Sequence, residues 1–399
     1  YYIWTNDRMG RLMMQRLTDA ADRGVRVRVI VDAVMTDSHP VYLAKFGAHP
    51  NVHVRMYKPF GTTHKSFVLR WVDFLDDFRL LNRRMHNKLY IVDDNFLVVG
   101  GRNIGEDYFE YVAPAVFRSR DLLGVGPIAD DASGAFDMFW NSQWTVPIDR
   151  VVEPPPTEHE MQVFKETLDQ LAEDPSHYPP GYRAVGEPAQ ARARLAEGLM
   201  WGRSKLLFDT VPGADGEPET PKEATNVVGH ALRRVADETR EEIIGESPYQ
   251  VMTDNTLENL RRLKERGVRI RIVTNSLASI DVLTAFVAYR KQREEQIAAT
   301  SELYEYRPDA RSQTEVYHDV APGQPVPHLG IHAKSSVFDR KVVFVGSFNL
   351  DRRSAHQNTE TGVLVENADL ARAVADSLLN DMAPGTTWRV RLTEDGETE

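Results

Sequence analysis

Two stretches of the chain carry the same three chemically active residue types at the same spacing. Each follows the pattern H-x-K-x4-D, and each is followed by a tetrad of small residues that ends in asparagine, 17 residues after the histidine. One match could arise by chance among twelve histidines. Two matches with the same tetrad at the same distance indicate a duplicated catalytic cassette. The first copy holds His86, Lys88, Asp93 and Gly100–Asn103, and the second holds His332, Lys334, Asp339 and Gly346–Asn349.

These residue types suit the chemistry of a phosphodiester. Histidine can attack as a nucleophile or donate a proton near neutral pH. A lysine two positions later in a strand points to the same face, where its ammonium can neutralise a non-bridging phosphate oxygen. The small residues let backbone N–H groups approach the phosphate, and the asparagine amide adds a further donor. We therefore predict substrate contacts from Gly101, Asn103, Ser347 and Asn349.

Covalent exchange at a diester needs two histidines, one to attack phosphorus and one to protonate the departing alcohol. One cassette supplies one histidine, so duplication supplies the pair, His86 and His332. The scheme requires no metal or other cofactor. The sequence has no H-E-x-x-H pattern and no cysteine, and Lys88 and Lys334 supply the positive charge.

The doubled cassette resembles the signature of the phospholipase D superfamily. The segments NRRMHNKLYIVD, GGRNIGEDYF, RSRDL and VGSFNLDRRSAHQNTETGVLV resemble the bacterial cardiolipin synthase branch, in particular its class C type, as do RGVRVRVIVD and RGVRIRIVTNSLASIDV. This resemblance implies an α/β fold of two α/β/α sandwich halves, each with a mixed sheet, related by a pseudo-twofold axis. The site would lie at the seam between the halves.

An acidic residue also follows each asparagine, at the start of an apolar segment: Asp121 in the first half and Glu360 in the second. In the superfamily such acids orient a catalytic histidine, and the partnership crosses between the halves. The resemblance implies that His86 pairs with Glu360 and His332 with Asp121. It also implies that His86 is the nucleophile and His332 the acid and base, a choice that the nearly symmetric sequence cannot make.

The elements around the cassettes are duplicated as well. An amphipathic helix ends at Gly24 and precedes a strand of alternating valines, and LENLRRLKERG, ending at Gly267, precedes a similar strand. The two glycines are 243 residues apart and the two histidines 246, which indicates duplication of whole domains. Asp93 and Asp339 each end a strand at a turn, so we expect structural support from them rather than proton transfer.

This pattern predicts a first half over residues 1–145, a proline-rich and helical linker over 146–201, and a second half over 202–399. The second half opens with a strand and a helix that have no counterpart before Tyr1, so we expect the first half to be truncated at its N-terminus. The irregular stretch between Val34 and Arg84 is rich in aromatic and basic residues. It is either a functional insertion near the site or ordinary loop packing.

Composition narrows the functional classes. With 399 residues, 42% of them hydrophobic, the chain can build one large or two medium domains with real cores. A net charge of −11 argues against a broad nucleic-acid-binding surface, so we expect no nucleic-acid partner. No apolar run approaches the roughly 18 residues needed to span a bilayer, so these residues contain no transmembrane helix. The absence of cysteine excludes disulfides and thiolate metal sites and leaves the redox compartment open.

The predicted function is that of a phosphatidyltransferase that makes cardiolipin from phosphatidylglycerol and a second phospholipid, with phosphatidylethanolamine as a candidate, through a phosphatidyl-histidine. If water is the acceptor, the enzyme is a phospholipase D that yields phosphatidic acid. A nuclease or other phosphodiesterase of the same superfamily is a further alternative, and a catalytically inactive lipid-binding protein is a third. The expected location is the membrane, specifically the bacterial inner membrane, on a side that the sequence does not specify. A membrane surface and phospholipids are the expected partners, and a partner protein is conceivable.

Overall fold

A computed structural model describes residues 1–34, 40–58, 83–111, 115–179, 188–211, 226–310 and 328–393, together with residues 395 and 398. Most of the irregular stretch between Val34 and Arg84, namely residues 35–39 and 59–82, lies outside the described residues, so the prediction of a functional insertion there is not addressed. Within the described ranges, the first half contains, in chain order, α1 (Arg8–Asp22), β1 (Val27–Asp32), α2 (Val41–Phe46), β2 (Val52–Tyr57), β3 (Leu89–Val92), β4 (Phe96–Gly100), β5 (Ala115–Arg118), β6 (Asp121–Val125), α3 (Pro127–Trp140) and β7 (Thr145–Pro147).

Two helices follow the first half, and the second half then alternates strands and helices. The connecting helices are α4 (Glu158–Glu173) and α5 (Pro188–Glu197). The second half contains β8 (Arg203–Phe208), α6 (Val227–Glu238), β9 (Glu242–Glu246), β10 (Gln250–Val251), α7 (Asp254–Glu265), β11 (Arg269–Asn275), α8 (Leu283–Ala299), β12 (Glu302–Tyr306), β13 (His328–Ile331), β14 (Ser335–Phe338), β15 (Val342–Gly346), β16 (Leu350–Asp351), α9 (Arg352–His356), β17 (Thr361–Glu366), α10 (Ala368–Asp381) and β18 (Thr387–Val390).

The second half is built on one mixed sheet with the strand order β18-β12-β11-β9-β14-β15-β17-β8. Strands β12, β11 and β9 run parallel, and the remaining pairs are antiparallel. Helix α7 packs its buried leucines, Leu257, Leu260 and Leu263, into the core beside β11. Gly267 then takes a φ of 88° after the helix, a conformation that favours glycine, and leads the chain into β11.

The first half repeats this strand order, but none of its described residues forms a strand at the places of β8 and β9. Its strands form two sheets of three, β1-β2-β7 and β3-β4-β6, which correspond to the second half's β11-β12-β18 and β14-β15-β17. In the second half β9 joins the two groups, and no strand of the described residues fills that place in the first half. Each half contains both parallel and antiparallel strand pairs, in agreement with the predicted mixed sheets.

The two halves meet through matching crosswise contacts. Strand β13, just before the second cassette, pairs in parallel with β5 of the first half. In the mirrored arrangement Met85, just before the first cassette, forms a bridge with Thr359 of the second half. Apolar side chains of β4 pack with those of β8 and β17 between the halves. The seam is thus a packed interface, and both cassettes lie on it.

Much of the predicted linker is attached to the first half. Its opening residues belong to β7, which pairs with β2, and Ile148, Val152 and Leu168 lie in the same buried cluster as α1 and β1. The hydroxyl of Tyr111 donates to the His177 carbonyl at 2.7 Å. Residues 146–177 are therefore a packed extension of the first half. Along the described ranges, no helix combines the length and the apolar character that crossing a bilayer requires.

Candidate active site

Each cassette histidine is fixed by the backbone of the opposite half. The His86 amide donates to the Thr359 carbonyl at 3.0 Å, and the His332 amide donates to the Arg118 carbonyl at 2.8 Å. Both histidine side chains are buried. The structure therefore brings the two cassettes together at the seam, with the predicted lysines beside the histidines.

The predicted contact between His86 and Glu360 is present. His86 Nδ1 lies 2.8 Å from a carboxylate oxygen of Glu360, whose side chain is fully buried. The hydroxyls of Ser347 and Ser354 donate to the same carboxylate at 2.5 and 2.7 Å. With Nδ1 bound to the carboxylate, Nε2 is the ring nitrogen left to face a substrate.

The predicted pairing of His332 with Asp121 is wrong. The Asp121 carboxylate instead accepts from Arg102 Nε at 2.7 Å. Arg102 occupies the third position of the first tetrad, and Phe348 occupies that position in the second tetrad. Only the first half therefore places a guanidinium there, beside the start of β6.

The backbone register explains the error. Gly100 pairs with Asp121 across the first-half sheet, and its counterpart Gly346 pairs with Gly362, so Asp121 corresponds to Gly362. The residue that corresponds to Glu360 lies two positions earlier, at Ser119. Its buried hydroxyl has no hydrogen-bond partner among the described residues. The acid that supports His86 in one half therefore has no equivalent in the other.

His332 has a different set of neighbours as a result. Its Nδ1 lies 3.1 Å from the Gly101 carbonyl and 3.0 Å from Lys334 Nζ. A protonated Nδ1 donates to the Gly101 carbonyl, whereas an unprotonated Nδ1 accepts from Lys334. The aromatic rings of Tyr108 and Phe117 lie against the imidazole, with ring centroids 5.1 and 5.8 Å away.

The two lysines are almost completely buried. Lys88 Nζ donates to the His86 carbonyl, and Lys334 Nζ to the His332 carbonyl, both at 2.6 Å. Burial, reinforced for Lys88 by the charge of Lys334, holds the pKa of Lys88 well below its usual value. Burial lowers the pKa of Lys334 to about 7.

The same cause acts on the histidines. Burial, followed by the charges of both lysines, holds the pKa values of His86 and His332 well below the usual value. Four basic groups thus share one desolvated space, where protonation of any one opposes protonation of the others. An anionic group would relieve this repulsion, so the arrangement favours an anion such as a phosphodiester.

The tetrad residues for which we predict substrate contacts, Gly101, Asn103, Ser347 and Asn349, are all buried. A Cβ on Gly101 would come within 2.7 Å of the His332 carbonyl oxygen, so only glycine allows this approach. The Ser347 hydroxyl contacts Glu360, as described above. Asn103 Nδ2 and Asn349 Oδ1 are buried and have no hydrogen-bond partner among the described residues. Asn103 Nδ2 is a donor, and a rotation of the Asn349 amide would exchange its Oδ1 and Nδ2, so both asparagines can present a donor to a phosphate oxygen.

The two cassette aspartates differ in their contacts. Asp339 takes a φ of 49° at its turn and accepts hydrogen bonds from the backbone amides of Arg240, Glu241 and Glu242 at 2.8–3.0 Å. It thereby ties the turn after β14 to the start of β9. Asp93 has a similar φ of 53° but is exposed, and its carboxylate makes no hydrogen bond with the described residues.

Two residues that the sequence analysis did not select hold the backbone in front of each histidine. The Asp32 carboxylate accepts from the Met85 amide at 2.9 Å. Asn275 accepts from the Ile331 amide at 2.7 Å and donates to the Ile331 carbonyl at 2.8 Å. Asp32 and Asn275 end β1 and β11, each eight residues after the glycine of its duplicated helix. That shared offset was the signal that could have identified them.

Tyr2 and Tyr249 were also missed. The Tyr2 ring lies edge-on to His86, with centroids 5.0 Å apart, and the Tyr249 ring lies 6.4 Å from that of His332. These rings line the pocket beside each histidine and exclude water from it. Across the described ranges, no group of three or more histidine, aspartate or glutamate side chains is arranged to hold a metal ion.

Comparison with known proteins places this geometry in context. The family described as "Cardiolipin synthase, PLD-like domain" matches residues 1–140 and 232–382. Cardiolipin synthase C of Escherichia coli is 33% identical over 400 residues, which cover 98% of this chain and 80% of that protein. Cardiolipin synthase 2 of Bacillus anthracis is 24% identical over 385 residues, covering 96% of this chain and 59% of that protein.

A solved structure shares the fold. The phosphatidylserine synthase of Haemophilus influenzae aligns with a TM-score of 0.59 and 13% identity, over 97% of this chain and 80% of that one. At this identity the likeness concerns the fold alone. The predicted fold class, an α/β duplication of the phospholipase D type, is confirmed.

Proposed function

The chain belongs to the family of phospholipase D-like cardiolipin synthase domains, and from this premise we propose that it is a phosphatidyltransferase that makes cardiolipin from phosphatidylglycerol and a second phospholipid. It is an enzyme of the phospholipase D type, as its relatives are, and acts on phospholipid phosphodiesters. The buried cluster of two histidines and two lysines carries the proposal, because the four side chains lie together at the seam and a phosphodiester anion would favour the protonated forms that burial disfavours.

In the proposed first step, His86 Nε2 attacks the phosphorus of the donor lipid. A P–N bond forms, and the P–O bond to the headgroup breaks. His332 Nε2 gives its proton to the departing headgroup oxygen. Lys88, Lys334 and the asparagine amides stabilise the negative charge on the non-bridging oxygens. The product of this step is a phosphatidyl-histidine and a free headgroup alcohol.

In the second step, His332 Nε2 takes the proton from a hydroxyl of the glycerol headgroup of phosphatidylglycerol. That oxygen attacks phosphorus, the P–N bond breaks, and His86 is restored. The contact of His332 Nδ1 with the Gly101 carbonyl suits this exchange of roles. While Nδ1–H donates to that carbonyl, a ring protonated on both nitrogens can give its Nε2 proton to the headgroup oxygen. The neutral ring that remains keeps Nδ1–H and has a lone pair on Nε2, so it is then a base.

The choice of His86 as nucleophile is supported by its carboxylate partner. Glu360 holds the proton on Nδ1, which leaves the Nε2 lone pair free, and it stabilises the positive charge that the ring gains as the P–N bond forms. His332, which has Ser119 in place of an acid, lacks this support. The nucleophile should therefore be the histidine that Glu360 contacts.

The test is a product assay on vesicles of phosphatidylethanolamine and phosphatidylglycerol, with each lipid labelled in turn. The proposal expects labelled cardiolipin from the wild type and none from His86→Ala. Phosphatidic acid as the sole product would make water the acceptor and overturn the transferase. Quenching in an alkaline denaturant, in which the P–N bond survives, followed by peptide mapping checks the nucleophile, and label on the peptide that contains His332 would overturn the assignment of His86.

A further inference from the structure

An exposed apolar ridge runs from the end of β11 onto the first two turns of α8. Leu277, Val282, Leu283 and Val287 have 58%, 39%, 61% and 57% of their surface exposed. Leu283 and Val287 are one helical turn apart, so they share one outward face of α8. Single exposed apolar residues are ordinary, but four of them within eleven residues mark an interaction surface.

The ridge lies beside the proposed acid and base. It starts two residues after Asn275, whose side chain holds the backbone of Ile331 in front of His332. Asp281, in the middle of the ridge, accepts from the Tyr249 hydroxyl, 2.8 Å from each carboxylate oxygen. The Tyr249 ring in turn lies 6.4 Å from that of His332. The apolar residues are thus on the rim of the active site.

The charges on α8 continue the pattern. Arg290 and Lys291, one turn beyond Val287, are exposed and form no ion pair with any described residue. They are cations on a chain with a net charge of −11. Glu294 follows one turn further from the site. At an anionic lipid surface, exposed apolar side chains can enter the boundary below the headgroups while neighbouring cations bind the lipid phosphates.

We propose that this ridge is where the enzyme contacts the membrane. This inference rests on the proposed function, because it takes the substrate to be a bilayer lipid. Leu277, Leu283 and Val287 enter the boundary between headgroups and acyl chains, and Arg290 and Lys291 bind the phosphates of anionic lipids. Docking in this way brings Tyr249 and the His332 side of the site towards the headgroup layer.

The test is co-sedimentation with vesicles of phosphatidylglycerol and phosphatidylethanolamine in equal amounts. All proteins carry His86→Ala, so the vesicles are not consumed. Leu283→Glu with Val287→Glu should weaken vesicle binding by about tenfold or more, because two apolar side chains that enter the lipid become charged. Arg290→Gln with Lys291→Gln should weaken it by about fivefold per charge at low salt. A matched control replaces a valine and a leucine on other helices, Val163→Glu with Leu195→Glu, each 46% exposed, and should bind normally.

A second measurement separates this inference from the proposed function. In protein that keeps His86, the Leu283→Glu, Val287→Glu pair should cleave a short-chain phosphatidylglycerol, dissolved below its critical micelle concentration, at the wild-type rate. The same pair should lose activity on vesicles. Unchanged vesicle binding, or an equal loss with the control pair, overturns the membrane surface. The membrane surface is also overturned if the Leu283→Glu, Val287→Glu pair converts a dimer into a monomer without changing vesicle binding, since the ridge would then contact a second copy of the chain. A wild type that cleaves no lipid defeats the proposed function, while the sedimentation result still decides the surface.

Discussion

Replacing Glu360 by glutamine tests the asymmetry between the two histidines. The Glu360 carboxylate is fully buried, accepts from two serine hydroxyls, and lies 2.8 Å from His86 Nδ1. In Glu360→Gln, an amide NH2 that faces Nδ1 makes this nitrogen an acceptor and moves the ring proton to Nε2. The nucleophilic lone pair is then lost. The comparable change in a catalytic triad costs about 10⁴-fold in kcat, so we expect kcat/KM to fall by about 10³–10⁴-fold.

Asp121→Asn is the matched comparison. Both acids were predicted from the sequence to support a histidine, but Asp121 forms an ion pair with Arg102, and these side chains are 18% and 28% exposed. Such a partly exposed pair contributes about 1 kcal/mol or less to stability. Because Asp121 does not contact either histidine, we expect kcat/KM to change by less than about tenfold.

The assay is single-turnover formation of the phosphoenzyme with labelled phosphatidylglycerol, and thermal melts confirm that each variant is folded. The decisive quantity is the ratio of the two losses, since a general effect on folding would lower both rates together. If Asp121→Asn slows phosphoenzyme formation as much as Glu360→Gln does, the register argument that pairs Ser119 with Glu360 is refuted. If Glu360→Gln leaves the rate unchanged, the role assigned to the carboxylate is refuted.

Three further predictions follow from the site and its supports. When sulfate, which carries no titrating proton at pH 8, binds at that pH, the protein should take up close to one proton, because an anion raises the pKa of Lys334 from about 7. Calorimetry in buffers of different ionisation enthalpy should show this uptake, and Lys334→Met should abolish most of it. Asp32→Ala should destabilise the fold by about 3–5 kcal/mol in urea unfolding, because it leaves the Arg84 charge and the Met85 amide buried; a loss under 1 kcal/mol would contradict this. Asp339→Ala should lower the free energy of unfolding by about 2 kcal/mol and Asp93→Ala by less than about 0.5 kcal/mol, since of the two only Asp339 accepts from backbone amides of the described residues. Equal urea midpoints for the two variants would contradict this difference.

The pH dependence of the Asp339 contribution has a definite sign. Although burial opposes ionisation, the hydrogen bonds from three backbone amides lower the pKa of Asp339. The folded state therefore holds its proton less tightly than the unfolded state. The stability that Asp339 contributes is fully present above the usual carboxyl pKa and is lost as the pH falls through the lowered value. The stability gap between wild type and Asp339→Ala should narrow in acid.

The sequence predicts the cassettes well because their geometry is local. Each lysine follows its histidine by two residues, directly before β3 or β14, and the Nζ atoms of Lys88 and Lys334 donate to the carbonyls of His86 and His332. The equal offset of the asparagines likewise predicts their shared place at the site. The duplication was visible for the same reason, since Gly24 and Gly267 end equivalent helices at left-handed positions.

The contacts that depend on register between distant strands could not be predicted. Asp121 and Glu360 look equivalent in sequence because each begins an apolar segment after a tetrad. Their alignment depends on how β6 and β17 pair with β4 and β15, and a shift of two residues keeps the same side chains on the same face. The alternation of polar and apolar residues therefore does not distinguish the two registers. Only the observed pairing of Gly100 with Asp121 distinguishes the two registers.

This shift of two residues gives the duplicated site its polarity. Two identical halves would give both histidines the same partner and the same pKa, and neither would be preferred as nucleophile. Here one position of the duplicated framework holds Glu360 in the second half and Ser119 in the first, so the halves support their histidines differently. His86 gains a carboxylate that stabilises a charged ring. His332 keeps the Gly101 carbonyl and Lys334 beside its Nδ1. The proposed transfer uses this division, because in that scheme one histidine carries the phosphatidyl group while the other gives and then takes a proton.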